Sequence, residues 1–259
     1  MSASRSVAPG LLGGLVLLAV LSPLLCPGGP LVRVGPSFSA PDFGPDPRLW
    51  LGIDDMGRSV LCQCGFGLRA STLVGLGTLA VALGVGLGVG IVAGVSGGWV
   101  DRMLAQVVGL FQVVPRFFLA LVVVALFGAS LPLIVLVLGA TSWTLVARMA
   151  RAEAASIAGR PFVRAAVALG CGRGAILWRH VLPNALPPVR AAGPVIAGGA
   201  VLAEAGLGFL GLGAPNAVSL GRLVADAYPF LQIAPWISLA PIATLALLVL
   251  ALRAATEAR

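Results

Sequence analysis

Long uncharged stretches, separated by short polar clusters, divide the chain. No charged residue occurs in 6–32, 70–100, 117–147 or 227–252, and the stretch 191–221 contains only Glu204. A transmembrane helix needs about 20 predominantly apolar residues. We therefore predict an all-α, polytopic membrane protein with about six transmembrane helices, near 10–27, 72–95, 104–127, 131–149, 190–210 and 232–252.

The apolar stretches are continuous rather than alternating, which favours helices over the strands of an outer-membrane barrel. The segment 128–132 (Gly-Ala-Ser-Leu-Pro) carries a turn signal that divides the long stretch 117–147 into two helices. Glycine recurs at every second position from Gly84 to Gly90. Small residues let membrane helices approach closely, but glycine is also tolerated in any membrane helix, and the pattern alone leaves both explanations open.

The composition agrees with this class. Hydrophobic residues make up 59% of the chain and charged residues 10%, whereas a soluble domain carries about 25% charged residues. An ordinary soluble enzyme is therefore excluded, and so is a disordered chain, which would need low hydrophobicity.

The net charge of +8 is unevenly placed, because arginine is concentrated in 148–190, where Glu153 is the one acid. The positive-inside rule places this segment in the cytoplasm. With six spans, both termini are then cytoplasmic, and the loops 28–71 and 212–231 face outward.

Two explanations fit the N-terminal apolar stretch. Arg5 followed by apolar residues 11–25 is typical of a signal peptide and of an uncleaved anchor helix. The prolines that follow, at 23, 27 and 30, leave no clear cleavage site, so we expect an anchor. The chain then divides into 1–47, the anchor and the start of the outward loop, and 48–259, a core with five transmembrane helices.

Catalytic and metal chemistry is sparse. Cys62 and Cys64 form a C-x-C pair, which makes a strained disulfide and only half a metal site, while Cys26 and Cys171 are isolated in sequence. A chain without lysine has no Walker motif, and neither H-E-x-x-H nor a nucleophile elbow is present. We therefore expect no metal, no catalytic residues and no cofactor in this chain, and a role in transport or as a membrane scaffold.

Glu204 and Arg116 fall inside predicted spans, and Arg148 and Arg151 close the fourth. Charges at bilayer depth cost several kcal/mol, so these side chains are expected to face the bundle interior or a cavity. Glu204 is either a pathway or gating residue or half of a buried structural pair, for example with an arginine. Arg116 can also reach an interface by snorkelling.

The segment 152–189 carries helix signals. Phe162–Leu169 is Ala-rich, with Pro161 near its first turn and Gly170 just past its end, which predicts a short helix. Ile176–Trp178 predicts a second helical turn, ended by Pro183. Such a surface suits docking of another protein, although an ordinary positive-inside loop is the alternative.

The pattern Arg164-Ala165-Ala166-x3-Gly170-x9-His180-Val181-Leu182-Pro183-Asn184 resembles the Glu-Ala-Ala loop of ABC importer permeases. Four further segments, 50–58, 97–102, 204–213 and 234–236, resemble motifs of the peptide/nickel branch, specifically the second permease of dipeptide and oligopeptide importers. The resemblance covers about residues 48–253.

This resemblance implies the type I ABC importer permease fold in a bacterial inner membrane. It implies a homologous second permease, two ATPase subunits that bind ATP and Mg, and an extracytoplasmic binding protein that delivers peptides or nickel-type solutes. Glu204 and Arg116 become candidates for the translocation path or its gate. The ATPase-docking loop would be 160–184, with Arg164, Ala165, Ala166, Gly170, His180, Leu182 and Pro183 as its residues.

A second segment spells the family's Glu-Ala-Ala sequence literally, but it does not fit the rest of the loop pattern. Glu153-Ala154-Ala155-x3-Gly159 spells the family's first residues, but its downstream Leu-Pro would then fall on Cys171 and Gly172. In the chosen register Arg164 replaces the family's glutamate, so a compensating acid in the ATPase groove or a weaker contact is expected. A secondary transporter with Glu204 as coupling residue, and a non-transporting scaffold, remain the rival functions.

Overall fold

The structure, a computed structural model, describes residues 3–257. Within them the regular structure is helical, with only two isolated β-bridges. The α-helices are α1 (Ala3–Leu25), α2 (Val60–Ser96), α3 (Gly98–Val113), α4 (Arg116–Phe127), α5 (Leu131–Ala158), α6 (Pro161–Ala168), α7 (Arg173–Ile176), α8 (Leu182–Ala191), α9 (Gly193–Phe209), α10 (Leu220–Ala227) and α11 (Pro235–Glu257). Pro47–Leu49 and Tyr228–Phe230 form 3₁₀ turns, and Leu177–Val181 forms a π-helical turn.

The centre of the molecule is the parallel pair α2 and α5. Gly86, Gly90 and Gly94, spaced four residues apart, lie against α5 so closely that added side chains would collide with it. A Cβ on Gly86 would lie 2.6 Å from the carbonyl oxygen of Trp143, whereas Gly84 and Gly88 have open space around them. The alternating glycines are thus two sets, and only one set provides the close helix contact that small residues allow.

Two of the predicted spans are bent rather than continuous. The predicted helix 104–127 is wrong as a single rod, because α3 and α4 meet at 71°. Pro115 lacks an N–H, and Val114 before it is extended, as the residue preceding proline prefers. The span predicted at 190–210 is likewise preceded by a bend, of 47°, between the helical segment ending at Ala191 and α9.

Three helices within the described residues are individually long and apolar enough to cross a membrane, and five crossings result if each bent pair is one span. The apolar part of α1, Gly10–Leu25, is shorter than that criterion. The polytopic all-α class is confirmed, while the number of six crossings stays a prediction. The predicted turn at 128–132 is confirmed: α4 ends at Phe127 and the Ser130 side chain accepts the N–H of Leu133 at the start of α5.

Because α2 and α5 are parallel, their first turns lie at one end of the molecule and their last turns at the other. The "disulfide end" holds the beginnings of both helices and the loop 26–59, and the "arginine-rich end" holds their last turns and 148–190. A disulfide joins Cys26 after α1 to Cys62 in the first turn of α2, with Cα atoms 5.9 Å apart. The interpretation of Cys26 as isolated was wrong, because residues 36 positions apart meet only in the tertiary fold.

Asp54 organises the rest of the loop at the disulfide end. Its carboxylate is 2% exposed and accepts the backbone N–H groups of Met56 and Arg58, at 2.9 and 2.7 Å. Arg58 Nε and Gln63 Nε2 donate to its second oxygen, at 2.6 and 2.8 Å. The motif around 54–58 is therefore a compact turn built on one buried carboxylate, whose acceptor sites are well filled.

Candidate functional sites: a surface helix, a buried glutamate and a cavity

The short helix predicted from the sequence is confirmed as α6. Pro161 lies in its first turn, and Gly170 follows its end with φ +83°, a conformation that suits glycine. Val163 and Ala166, three residues apart, are buried against the core, so α6 lies on the arginine-rich end with one face inward.

The outward-turned side of this region presents large apolar side chains. We name Phe162, Val167, Leu169 and Trp178 the "α6 patch". Leu169 is 85% exposed and Trp178 68%, and Phe162 contacts His180 with ring centroids 6.1 Å apart. Exposed apolar clusters of this kind mark interaction sites. Sequence reasoning missed these four residues, although Phe162 and Val167 directly flank the positions 163 and 166 that a helical pattern would bury.

The structure places the seven candidate residues of 160–184 differently. Arg164, Ala165, Gly170 and Pro183 are exposed, Ala166 is buried, and His180 and Leu182 are partly buried. Pro183 does not end the helical turn at 176–178, so that prediction was wrong. Proline occupies the first turn of α8, where its missing N–H is tolerated, and the wider π turn 177–181 precedes it.

The literal Glu-Ala-Ala sequence at 153–155 lies inside α5. Ala154 is fully buried, and its Cβ lies 2.8 Å from the position that a Cβ on Gly94 would take. Since this stretch is part of the α2–α5 contact, it is not a free surface loop.

Arg151 joins α5 to the start of α3. Its Nε and Nη2 donate to the two oxygens of Asp101, the second at 2.7 Å. Arg148, one turn earlier, is exposed and lines a small cavity of about 100 Å³ beside this ion pair. The arginine-rich end thus has one bidentate link between two helices.

Glu204 is buried on α9 at 1% exposure, and Ser71 Oγ of α2 donates to its Oε2 at 3.0 Å. Ser219 also faces the carboxylate without meeting full hydrogen-bond geometry. None of the arginines whose side chains the structure describes forms an ion pair with Glu204, so the hypothesised arginine partner is not found among them. Glu204 lies five residues before the end of α9, between the middle of this helix and the disulfide end of the molecule.

Arg116 begins α4 directly after the bend. Its Nη2 donates to the carbonyl oxygen of Gly199 on α9 at 3.4 Å, and the next residue, Phe117, packs beside Gly206. Glycine at 199 leaves room for the guanidinium, because an added Cβ would lie 2.7 Å from Nη2. Arg116 thus contacts α9, the helix that carries Glu204, but the two side chains do not contact each other.

A larger cavity of about 710 Å³ opens at the disulfide end. Its walls come from the loop 26–59, the first part of α2, the segment 215–227 with α10, and the start of α11. Gly221 lets α10 lie directly on α9, because a Cβ there would overlap the backbone of Ala205. We name this space the "disulfide-end cavity"; Ser219 lies in its wall, beside Glu204.

No group of three or more potential metal ligands occurs in the part of the chain that the structure describes. Cys64 is buried and unpaired, and Cys171 is exposed.

Comparison with known proteins shows which proteins resemble this chain in sequence and in fold. Two permease relatives cover most of the chain. The dipeptide transport system permease protein DppC of Alkalihalophilus pseudofirmus is 32% identical over 91% of this chain and 77% of its own length. The oligopeptide transport system permease protein OppC of Mycobacterium bovis is 35% identical over 92% of this chain and 82% of its own.

Among solved structures, the inward-facing MetNI methionine ABC transporter contains a chain with TM-score 0.58 and 20% identity, which covers 74% of this chain and 91% of its own. That likeness establishes the permease fold of an ABC importer. The resemblance seen in the motifs is confirmed, and such permeases are transport components whose ATPase belongs to partner subunits. Residues 86–258 match the model of the family described as binding-protein-dependent transport system inner membrane component, and the chain belongs to that family of integral membrane permeases.

Proposed function

We propose that the chain is the second permease of an ATP-driven peptide importer. It would form half of the translocation path with a homologous permease, receive peptides from an extracytoplasmic binding protein, and be moved by two ATPase subunits that bind ATP and Mg. The names of the relatives, which are dipeptide and oligopeptide permeases, support the peptide class.

The arginine-rich end is the cytoplasmic end in this proposal, which puts both termini in the cytoplasm of a bacterial inner membrane. The positive-inside rule supports the assignment. The disulfide Cys26–Cys62 supports the assignment independently, because disulfides persist in oxidising compartments. This disulfide lies at the opposite end of the molecule from the arginine-rich segment 148–190.

The α6 patch carries the docking proposal. A helix that buries only Val163 and Ala166 and exposes large apolar side chains is suited to insert into a groove of another protein. Segment 160–184 therefore serves as the ATPase-docking loop, with Arg164 on its exposed side. Movement of this loop would reach the translocation path through α5 and α9. The gating candidates are Glu204, which lies on α9, and Arg116, which contacts α9.

The docking proposal is tested by co-purification. The tagged chain is co-expressed with the second permease and the ATPases encoded beside it, as wild type and as the double variant Leu169→Ser/Trp178→Ser. We expect the variant to retain at most about a tenth of the ATPase, because buried aromatic and aliphatic anchors dominate interface energy.

Phe43→Ser, at an equally exposed position on the loop of the disulfide end, is the matched control and leaves ATPase binding unchanged. Equal ATPase recovery in the double variant would overturn the docking assignment. The importer proposal fails separately if peptide uptake into proteoliposomes persists without ATP and collapses with the proton gradient, which would indicate a secondary transporter.

A further inference from the structure

We infer that Arg69 binds the carboxylate of the transported solute in the disulfide-end cavity. The inference rests on the proposed function and adds to it a residue that selects the substrate. Arg69 is a charged side chain that forms no ion pair with a described residue.

Arg69 is nine residues into α2, about 13 Å along the helix from Val60. Its side chain is exposed and lines the cavity. Ser71, two residues later, is turned about 200° around the helix axis, and it is Ser71 that contacts Glu204. Arg69 therefore faces the cavity while the buried glutamate lies on another side of α2.

The other arginines of the cavity wall are already paired. Arg58 Nε lies 2.6 Å from Asp54, and Arg222 Nε lies 3.5 Å from Asp226. Of the arginines that line this cavity, Arg69 is the one with no ion pair to a described residue. An unpaired guanidinium in a cavity wall makes its strongest hydrogen bonds with an anion, so the position of Arg69 favours an anionic ligand.

The cavity fits a carboxylate-bearing peptide. A volume of about 710 Å³ lies within the range of small-molecule sites. Phe66, Leu73 and Ile237 provide apolar wall for variable side chains, and Asn216 adds a polar group. The guanidinium fork matches a carboxylate in two parallel hydrogen bonds, so the C-terminal carboxylate, which every linear peptide carries, is the group that Arg69 would hold.

The test measures binding to the purified complex of both permeases and the ATPases, without the binding protein. Equilibrium dialysis compares radiolabelled trialanine with its C-terminal amide. We expect the wild type to bind the free acid at least tenfold more tightly than the amide. Arg69→Gln should abolish this preference, and Arg69→Lys should retain part of it.

Arg48→Gln is the matched control, because Arg48 lies in the loop at the same end of the molecule but is held by Asp46, at 2.7 Å, and does not line the cavity. An unchanged preference in Arg69→Gln, or a wild type without preference, would overturn the inference. So would loss of the second permease or of co-purified phospholipid from Arg69→Gln, since Arg69 would then hold a protein carboxylate or a lipid phosphate. ATP-dependent trialanine uptake by the wild type in proteoliposomes keeps failure of this inference distinct from failure of the importer proposal.

Discussion

At the disulfide end, the loop 26–59 is held by a covalent bond and by a buried carboxylate, whereas at the arginine-rich end α6 is held mainly by Val163 and Ala166. Polar groups are buried and satisfied around Asp54, but large apolar groups are exposed on α6. The first arrangement stabilises a shape within one chain. The second leaves apolar surface exposed, which the docking proposal expects the ATPase to bury.

The largest effect is expected at Asp54. Asp54→Ala leaves Arg58 and Gln63 without their acceptor in a buried site, which should lower the free energy of unfolding by about 4 kcal/mol. Thermal unfolding of the chain in detergent measures the change. Asp55→Ala is the neighbouring control, because the Asp55 carboxylate is 3.9 Å from the Arg58 guanidinium, which is long for an ion pair. This variant should lower the free energy of unfolding by less than about 1 kcal/mol. Equal losses would show that the loop is not organised by Asp54.

The disulfide comes next. Cys26→Ser/Cys62→Ser should lower the free energy of unfolding by about 3 kcal/mol, because the link closes a segment of 36 residues in the unfolded chain. Cys171→Ser, at an exposed free thiol, should have no effect. Reducing agent should shift the wild type to the melting temperature of the double variant and leave that variant unchanged; a shift in both would place the reductant's effect elsewhere.

The smallest effect on global stability is expected on α6. Val163→Ala removes about 1.5 kcal/mol of buried contact, which should raise the locally open population of α6 roughly tenfold. Tryptic cleavage after Arg164 measures this opening, and the global melting temperature should barely change.

Val167→Ala, on the exposed side of the same helix, is its matched control and should cleave at the wild-type rate. If Val163→Ala lowered the melting temperature as much as Asp54→Ala, the two ends would be equally integrated, and the contrast between them would be wrong.

Local signals carried the sequence predictions that succeeded. Pro161 and Gly170 bracket α6 almost to the residue, since both act through the conformation of their own backbone. Ser130 and Pro132 marked the start of α5 in the same way. The family motifs succeeded because they are contiguous in sequence.

The predictions that failed depended on distance or on compensation. The partners Cys26 with Cys62, and Ser71 with Glu204, are chosen by helix packing and not by neighbours in sequence. The bend after Pro115 was not predicted, because proline is tolerated within membrane helices and the apolar stretch continues on both sides of it. Pro183 was taken as a stop because the π turn that accommodates it leaves no local signature.

The length of α5 has a mechanical consequence. Its 28 residues form a rod about 42 Å long, with α6 following one end and Leu131, in the wall of the disulfide-end cavity, at the other. The glycines at 86, 90 and 94 bring this rod close against α2, so we expect the two helices to tilt together. A tilt of about 5° about one end displaces the other by roughly 3.7 Å, which is more than the length of one hydrogen bond. In the proposed importer, a small displacement of α6 would therefore change which groups meet around Arg69.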